Sequence, residues 1–363
     1  MQKQDNALAV KEGTPIPSTK AARHHVYIYY YDILNIFACL SVLVLHFNGL
    51  SHAYSQTAAY YQALGAECLF FWAVPVFLML TGATLIDYRH RYSTRAFFKK
   101  RITKIFVPFI AWSFLALAWK VLTNQMEGPV GPRSLIDLIF NTKIIDVYWF
   151  FIPLFSIYLM IPILSLFVKN ENFIQLKYIV CVYIMLNSIL PLLFELIGIP
   201  FNGNLNISLM GGYLIFPVLG YYLANTQMSS RHRQILYILA IVATVLRYLI
   251  IVEYEGAPGS LAWSYLSPAG ILQGAAVFVF IKQVDWPRLL SNTKGEQAIR
   301  RLSSCSFGIY LIHMIVFYYG LALTHLDGSS LIWRTLGPLV AYLVCLAIVL
   351  VGKSIPLVRR LFP

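Results

Sequence analysis

The sequence predicts an all-α membrane protein, a single bundle of about ten transmembrane helices with both termini on the cytoplasmic side. Three observations carry this. Hydrophobic residues are 59% of the 363 and charged residues only 12%, against about 25% charged in a soluble protein. Mean hydropathy is +0.68. Apolar runs near 20 residues, enough to cross a bilayer as helices, recur along the whole chain. No alternating segments of the outer-membrane barrel kind occur.

Taken in order, the first span covers 28–49, and Tyr27, Tyr29, Tyr30 and Tyr31 mark its cytoplasmic interface. The second, 67–87, carries Pro75. Arg89, Arg91, Arg95, Lys99, Lys100, Arg101 and Lys104 follow, the densest basic stretch in the chain, around the inner ends of the second and third spans. The third span, 103–123, leads to the longest outer loop, 124–146, broken by Gly128, Pro129, Gly131 and Pro132. The fourth, 147–168, returns to Lys169 and Lys177, and the fifth, 177–199, goes out again. The sixth, 209–225, contains Pro217 and ends before Arg231 and Arg233. The seventh, 234–253, and eighth, 263–282, lead to Lys282, Arg288, Lys294, Arg300 and Arg301. The ninth, 304–323, and tenth, 333–352, finish at Lys353, Arg359 and Arg360.

With this count, Lys120, Arg133, Lys143 and Arg334 are the basic residues left outside, and Arg247 lies within a span. Every other basic residue falls inside, as the positive-inside rule requires. That distribution also gives the net charge of +13 a membrane explanation rather than a nucleic-acid one. The domain reading is a disordered basic cytoplasmic arm at 1–25, a membrane domain at 26–355 and a short cytoplasmic tail at 356–363. No cleavable signal peptide precedes the first span. The five cysteines have no metal-type spacing and read as small packing residues.

The first span is apolar yet carries Asp32, Asn35 and His46. At 100° per residue, Asn35 and His46 differ by about 20° around a helix and lie about 16 Å apart along it, with Asp32 within about 40°. One helix face therefore presents a polar stripe, and an ionisable group in a membrane helix marks a candidate site. Taken alone, His46 is equally read as a histidine bonded to a neighbouring helix. Near the outer face collect Glu67, Asp146, Glu195 and Arg247, where Arg247 requires a partner and Glu195 is the expected one. Tyr310 and His313 share a face of the ninth span at i, i+3 and read as a structural pair. Lys100, Arg101 and Lys104 stand where a helix could offer them to a polyanionic cytoplasmic ligand. No phosphate loop, zinc cluster or serine elbow is present. A histidine of pKa near 6.5 can take a proton from an alcohol attacking a thioester and return it to the leaving group.

Several short segments, in order and spacing, resemble the acyltransferase-3 family of bacterial integral membrane acyltransferases. They are Asp32-Ile-Leu-Asn35 with His46, Val74-Pro75-Val-Phe77-Leu-Met-Leu-Thr81-Gly82, and Lys100-Arg101-Ile-Thr-Lys104 with Pro108. Trp149-Phe150-Phe151 with Tyr158 and Pro162, Pro217 with Gly220, and Ser306-Phe-Gly308-Ile-Tyr310-Leu-Ile-His313 complete the set. The resemblance implies His46 as the catalytic histidine and acetyl-CoA, or another acyl-CoA, as cytoplasmic co-substrate, with no bound cofactor or metal. It also implies a glycan acceptor and a bacterial plasma membrane. The chain departs from the family at Asn35 and Lys104, where arginines are expected, and at Thr81, where serine is usual. The expected function is O-acyl, chiefly O-acetyl, transfer to an envelope polysaccharide or lipid-linked glycan. Asp32 and Asn35 would orient the donor or the helix, and Lys100, Arg101 and Lys104 would hold CoA phosphates. Trp149 would stack on a sugar, with Asp146, Glu195 and Arg247 on the acceptor side. The alternative is a transporter whose polar stripe lines a translocation path.

Overall fold

A computed structural model describes residues 27–129, 131–168, 173–257, 260–290 and 293–363; the arm expected to be disordered at 1–25 lies outside the described residues. Among the described residues the regular structure is entirely helical. The helices are α1 (Tyr29–Phe47), α2 (Ala58–Phe70), α3 (Ala73–Leu85), α4 (Thr94–Arg101), α5 (Val107–Leu122), α6 (Pro132–Phe140), α7 (Phe151–Phe167) and α8 (Phe173–Ile184). They continue as α9 (Leu190–Leu196), α10 (Ile215–Asn225), α11 (Ser230–Glu253), α12 (Pro268–Gln283), α13 (Trp286–Leu289), α14 (Thr293–Thr324) and α15 (Leu331–Ser354).

Nine helical stretches among the described residues are long and apolar enough to cross a membrane. Nine of the ten expected spans coincide with them. The sixth does not: α10 has 11 residues and is buried along most of its length. It still completes a pass. The carboxylate of Glu195, near the end of α9, accepts from Leu261 N at 3.1 Å, just before α12, which fixes one end of the bundle. Lys282, at the far end of α12, donates to the carbonyls of Leu223, Ala224 and Thr226 at the end of α10. The chain therefore crosses between α9 and α11 through α10 and the segment before it. Such a short helix is tolerable because it faces protein, where neighbours and not lipid satisfy its surroundings. Gly82 of α3 and Gly220 of α10 allow this. A Cβ on Gly82 would fall inside contact distance of the Pro217 carbonyl, and one on Gly220 inside that of Met79. The two backbones touch, as small residues permit in membrane bundles.

Local sequence sets the breaks. Hydroxyl side chains cap several helices: Thr57 accepts from Tyr60 N, Ser93 from Ala96 N, Ser267 from Gly270 N and Ser330 from Trp333 N. The third and fifth passes each widen into a π-helical turn, Ile102–Phe106 and Met185–Ile189, shortly before Pro108 and Pro191. A proline cannot donate to the carbonyl four residues back, and the helix loosens around it. Inside α15, Pro338 leaves the Arg334 carbonyl without its helical donor, and Asn48 Nδ2 fills the place at 3.1 Å. The expected cytoplasmic tail is docked. Phe362 is 4% exposed, and Trp112 of α5 donates to the Leu361 carbonyl at 3.1 Å.

Candidate active site

The polar stripe of α1 faces α14. The two run parallel and meet at a nearly constant offset: Ser303 Oγ donates to Asp32 Oδ1 at 2.6 Å, and Asn35 Nδ2 reaches Ser303 Oγ at 2.8 Å and its carbonyl at 2.9 Å. Higher up, the Cys39 thiol lies 3.5 Å from the Ser306 carbonyl. At the top, His46 Nδ1 lies 2.7 Å from His313 Nε2. Polar groups on two neighbouring membrane helices have found each other at every turn that carries one.

The histidine pair has a defined proton arrangement. His313 Nδ1 is 2.6 Å from the Tyr310 carbonyl, which only accepts, so Nδ1 carries the proton. In a neutral ring His313 Nε2 is then bare and accepts from His46 Nδ1–H. That leaves the lone pair of the pair on His46 Nε2. His313 is fully buried, whereas His46 lines a cavity of about 1000 Å³. The sequence reading joined His313 to Tyr310 as a structural pair; the structure uses the Tyr310 carbonyl to orient His313 and gives the ring itself to His46.

Two hydrogen bonds seat the outer wall against this pair. Asp146–Phe150 forms a 3₁₀ turn ahead of α7. Tyr148 donates to the Leu311 carbonyl at 2.8 Å, and Tyr310 donates to the Val147 carbonyl. Trp149 is consequently held on the cavity wall with its ring stacked at 16° on Tyr265, centroids 5.8 Å apart. Asp146 stands on the same wall, exposed.

The cavity also reaches Tyr31, Asp32, Asn35 and Arg101 at its other end. Of the three basic residues proposed for a polyanion, Arg101 alone lines it, with its guanidinium 5.6 Å from the Phe97 ring and 5.7 Å from the Tyr158 ring. Lys100 extends over Tyr92 at 3.9 Å, and Lys104 is exposed on the π-helical turn. Asp32 accepts from Tyr27 and Ser303, and Asn35 is committed to Ser303. Both therefore lock α1 to α14 and form the floor of the cavity.

The expected Arg247–Glu195 pairing is corrected. Arg247 pairs with Glu67 at 3.5 Å, both side chains at most 4% exposed. It also donates to the Ala262 carbonyl at 2.7 Å and lies 3.6 Å over the Phe71 ring. Glu67, not Arg247, reaches the cavity. Glu195 lines a separate groove of about 830 Å³ with Asn206 and Tyr254. Depth along a span cannot choose between two acids; rotation about the helix does, and that needs the packed bundle.

Sequence reasoning passes over Ser303 and gives Ser306 only as part of the family segment, without a role. A seven-residue spacing puts Ser306 on the same face of α14 as His313, and that periodicity was the available signal. Among the described residues no group of His, Cys, Asp and Glu is arranged to hold a metal ion. Compared with known proteins, residues 28–355 match a family model described as an acyltransferase domain. No curated protein and no solved structure matches.

Proposed function

The chain belongs to the acyltransferase-3 family, multi-pass membrane enzymes that transfer acyl groups, and from that membership we propose that it moves an acetyl group from cytoplasmic acetyl-CoA to a hydroxyl of an envelope polysaccharide or lipid-linked glycan in a bacterial plasma membrane. The observation that carries this is the His46–His313 pair on a cavity that runs from Arg101 to Asp146. Donor and acceptor can enter such a cavity from opposite ends and meet at one base.

In this reading the acceptor hydroxyl gives its proton to His46 Nε2 as its oxygen attacks the thioester carbonyl. The C–S bond breaks, CoA leaves as thiolate, and the proton on His46 neutralises it. His313 fixes the reactive tautomer of His46 and takes a hydrogen bond that strengthens as His46 becomes cationic, the part an aspartate plays in serine hydrolases. Arg101 binds a phosphate of the donor, with Lys100 and Lys104 at the cytoplasmic approach. Trp149, backed by Tyr265, offers an aromatic face to a pyranose, and Asp146 accepts from sugar hydroxyls. Glu195 belongs to the separate groove and Arg247 to the Glu67 pair, so the acceptor contacts rest on Trp149 and Asp146. The test is acetyl-CoA binding to the detergent-purified protein together with label transfer to host glycans. Saturable solute flux in liposomes without CoA, and no acetyl-CoA binding, would favour the transporter instead.

A further inference from the structure

Two buried polar atoms on the cavity wall lack a hydrogen-bond partner among the described residues: Arg101 Nε and Ser306 Oγ. The threonine hydroxyls and the other serine hydroxyl on the wall are engaged. Thr81 and Thr84 donate to carbonyls of their own helix, and Ser303 bridges Asp32 and Asn35. Ser306 is 2% exposed. A buried hydroxyl without a partner is uncommon and asks for an explanation.

Its place supplies one. Ser306 is seven residues before His313 on α14, so it sits on the same face and about 10 Å nearer the Arg101 end. A ligand with its reactive carbon at His46 and an anionic group at Arg101 passes Ser306 midway. The wall between includes Val42, Leu80, Leu154 and Phe307, an apolar lining in which a passing amide needs a partner. In an acyl-thioester of pantetheine the second amide, joining β-alanine to pantoate, begins about eight bonds from the reactive carbon, and three extended bonds span about 3.5 Å, so it lies about 10 Å away. That is the depth of Ser306, which lines the cavity.

We propose that Ser306 is the pantetheine-arm contact of the donor site, hydrogen-bonding the pantoyl–β-alanine amide. The cavity thereby reads the arm of the donor as well as its phosphates. This rests on the acyl-thioester reading of the protein.

The test is displacement of labelled acetyl-CoA from the detergent-purified full chain by S-acetylpantetheine, which has the second amide, and by S-acetyl-N-acetylcysteamine, which lacks it. In Ser306→Ala, S-acetylpantetheine should displace about five- to tenfold less well than in the wild type, in line with one neutral hydrogen bond. The shorter thioester should be unchanged, and serves as the internal check that the variant is folded. Equal weakening of both probes, or no weakening of either, would overturn the assignment of Ser306 while leaving the donor reading intact. Absence of acetyl-CoA binding by the wild type would remove both together.

Discussion

Glu67 and Arg247 are at most 4% exposed and 3.5 Å apart. At that separation two unit charges attract by about 5 kcal/mol at an effective dielectric constant of 20. The ions also lose hydration, so replacing the pair as a whole costs much less than breaking it. Arg247→Met removes the charge and abandons both Glu67 and the Ala262 carbonyl; it should destabilise the bundle by about 3–5 kcal/mol. Glu67→Gln should cost about 1–3 kcal/mol, because an amide can still accept from the guanidinium. The double variant should be more stable than the sum of the single losses predicts, by at least about 1 kcal/mol. Reversible unfolding in mixed micelles, followed by circular dichroism, measures all three. Glu195→Gln combined with Arg247→Met should be additive within about 0.5 kcal/mol. Coupling to Glu195 and none to Glu67 would refute the pairing and with it the packing of α2 against α11.

Three further outcomes follow from the same geometry. His313→Ala should lower kcat by about 10²- to 10⁴-fold with acetyl-CoA binding retained, as shown by label transfer and binding on one preparation. Arg101→Ala should raise the KM for acetyl-CoA about tenfold to a hundredfold, the loss of a charge-assisted contact, with a smaller change in kcat; Lys104→Ala should change KM less. Asn48→Ala should destabilise by about 1–3 kcal/mol by orphaning the Arg334 carbonyl. Adding Pro338→Ala should restore most of it, because residue 338 then supplies the missing N–H, and unfolding of the single and double variants decides this.

Much of the fold is written in composition. The basic residues place the ends of the spans, and the Asp32–Asn35–His46 stripe shows one face of α1 to be polar before its neighbour is known. What the chain could not show is which helix receives that stripe. His313 lies 267 positions away, and no periodicity within one helix links it to His46. The same holds for Glu67 and Arg247. The shortness of α10 was hidden for another reason: residues 209–225 are apolar enough to span, and only the backbone contact at Gly82 and Gly220 shows that the helix is enclosed by protein. Lys104 followed helical reasoning into a segment where a π-helical turn shifts the register, and Lys100, one step before Arg101 in α4, turns to Tyr92 instead, so Arg101 alone of the three lines the cavity.

The most direct test of His46 as the base uses membranes containing the protein, isotope-labelled acetyl-CoA and the host's own envelope glycans. Wild type and His46→Ala, matched for folded protein, are compared for label released from glycan by mild alkali. A base at His46 requires alkali-labile label in the wild type and a loss of at least about 100-fold in the variant. Equal label in both would contradict it.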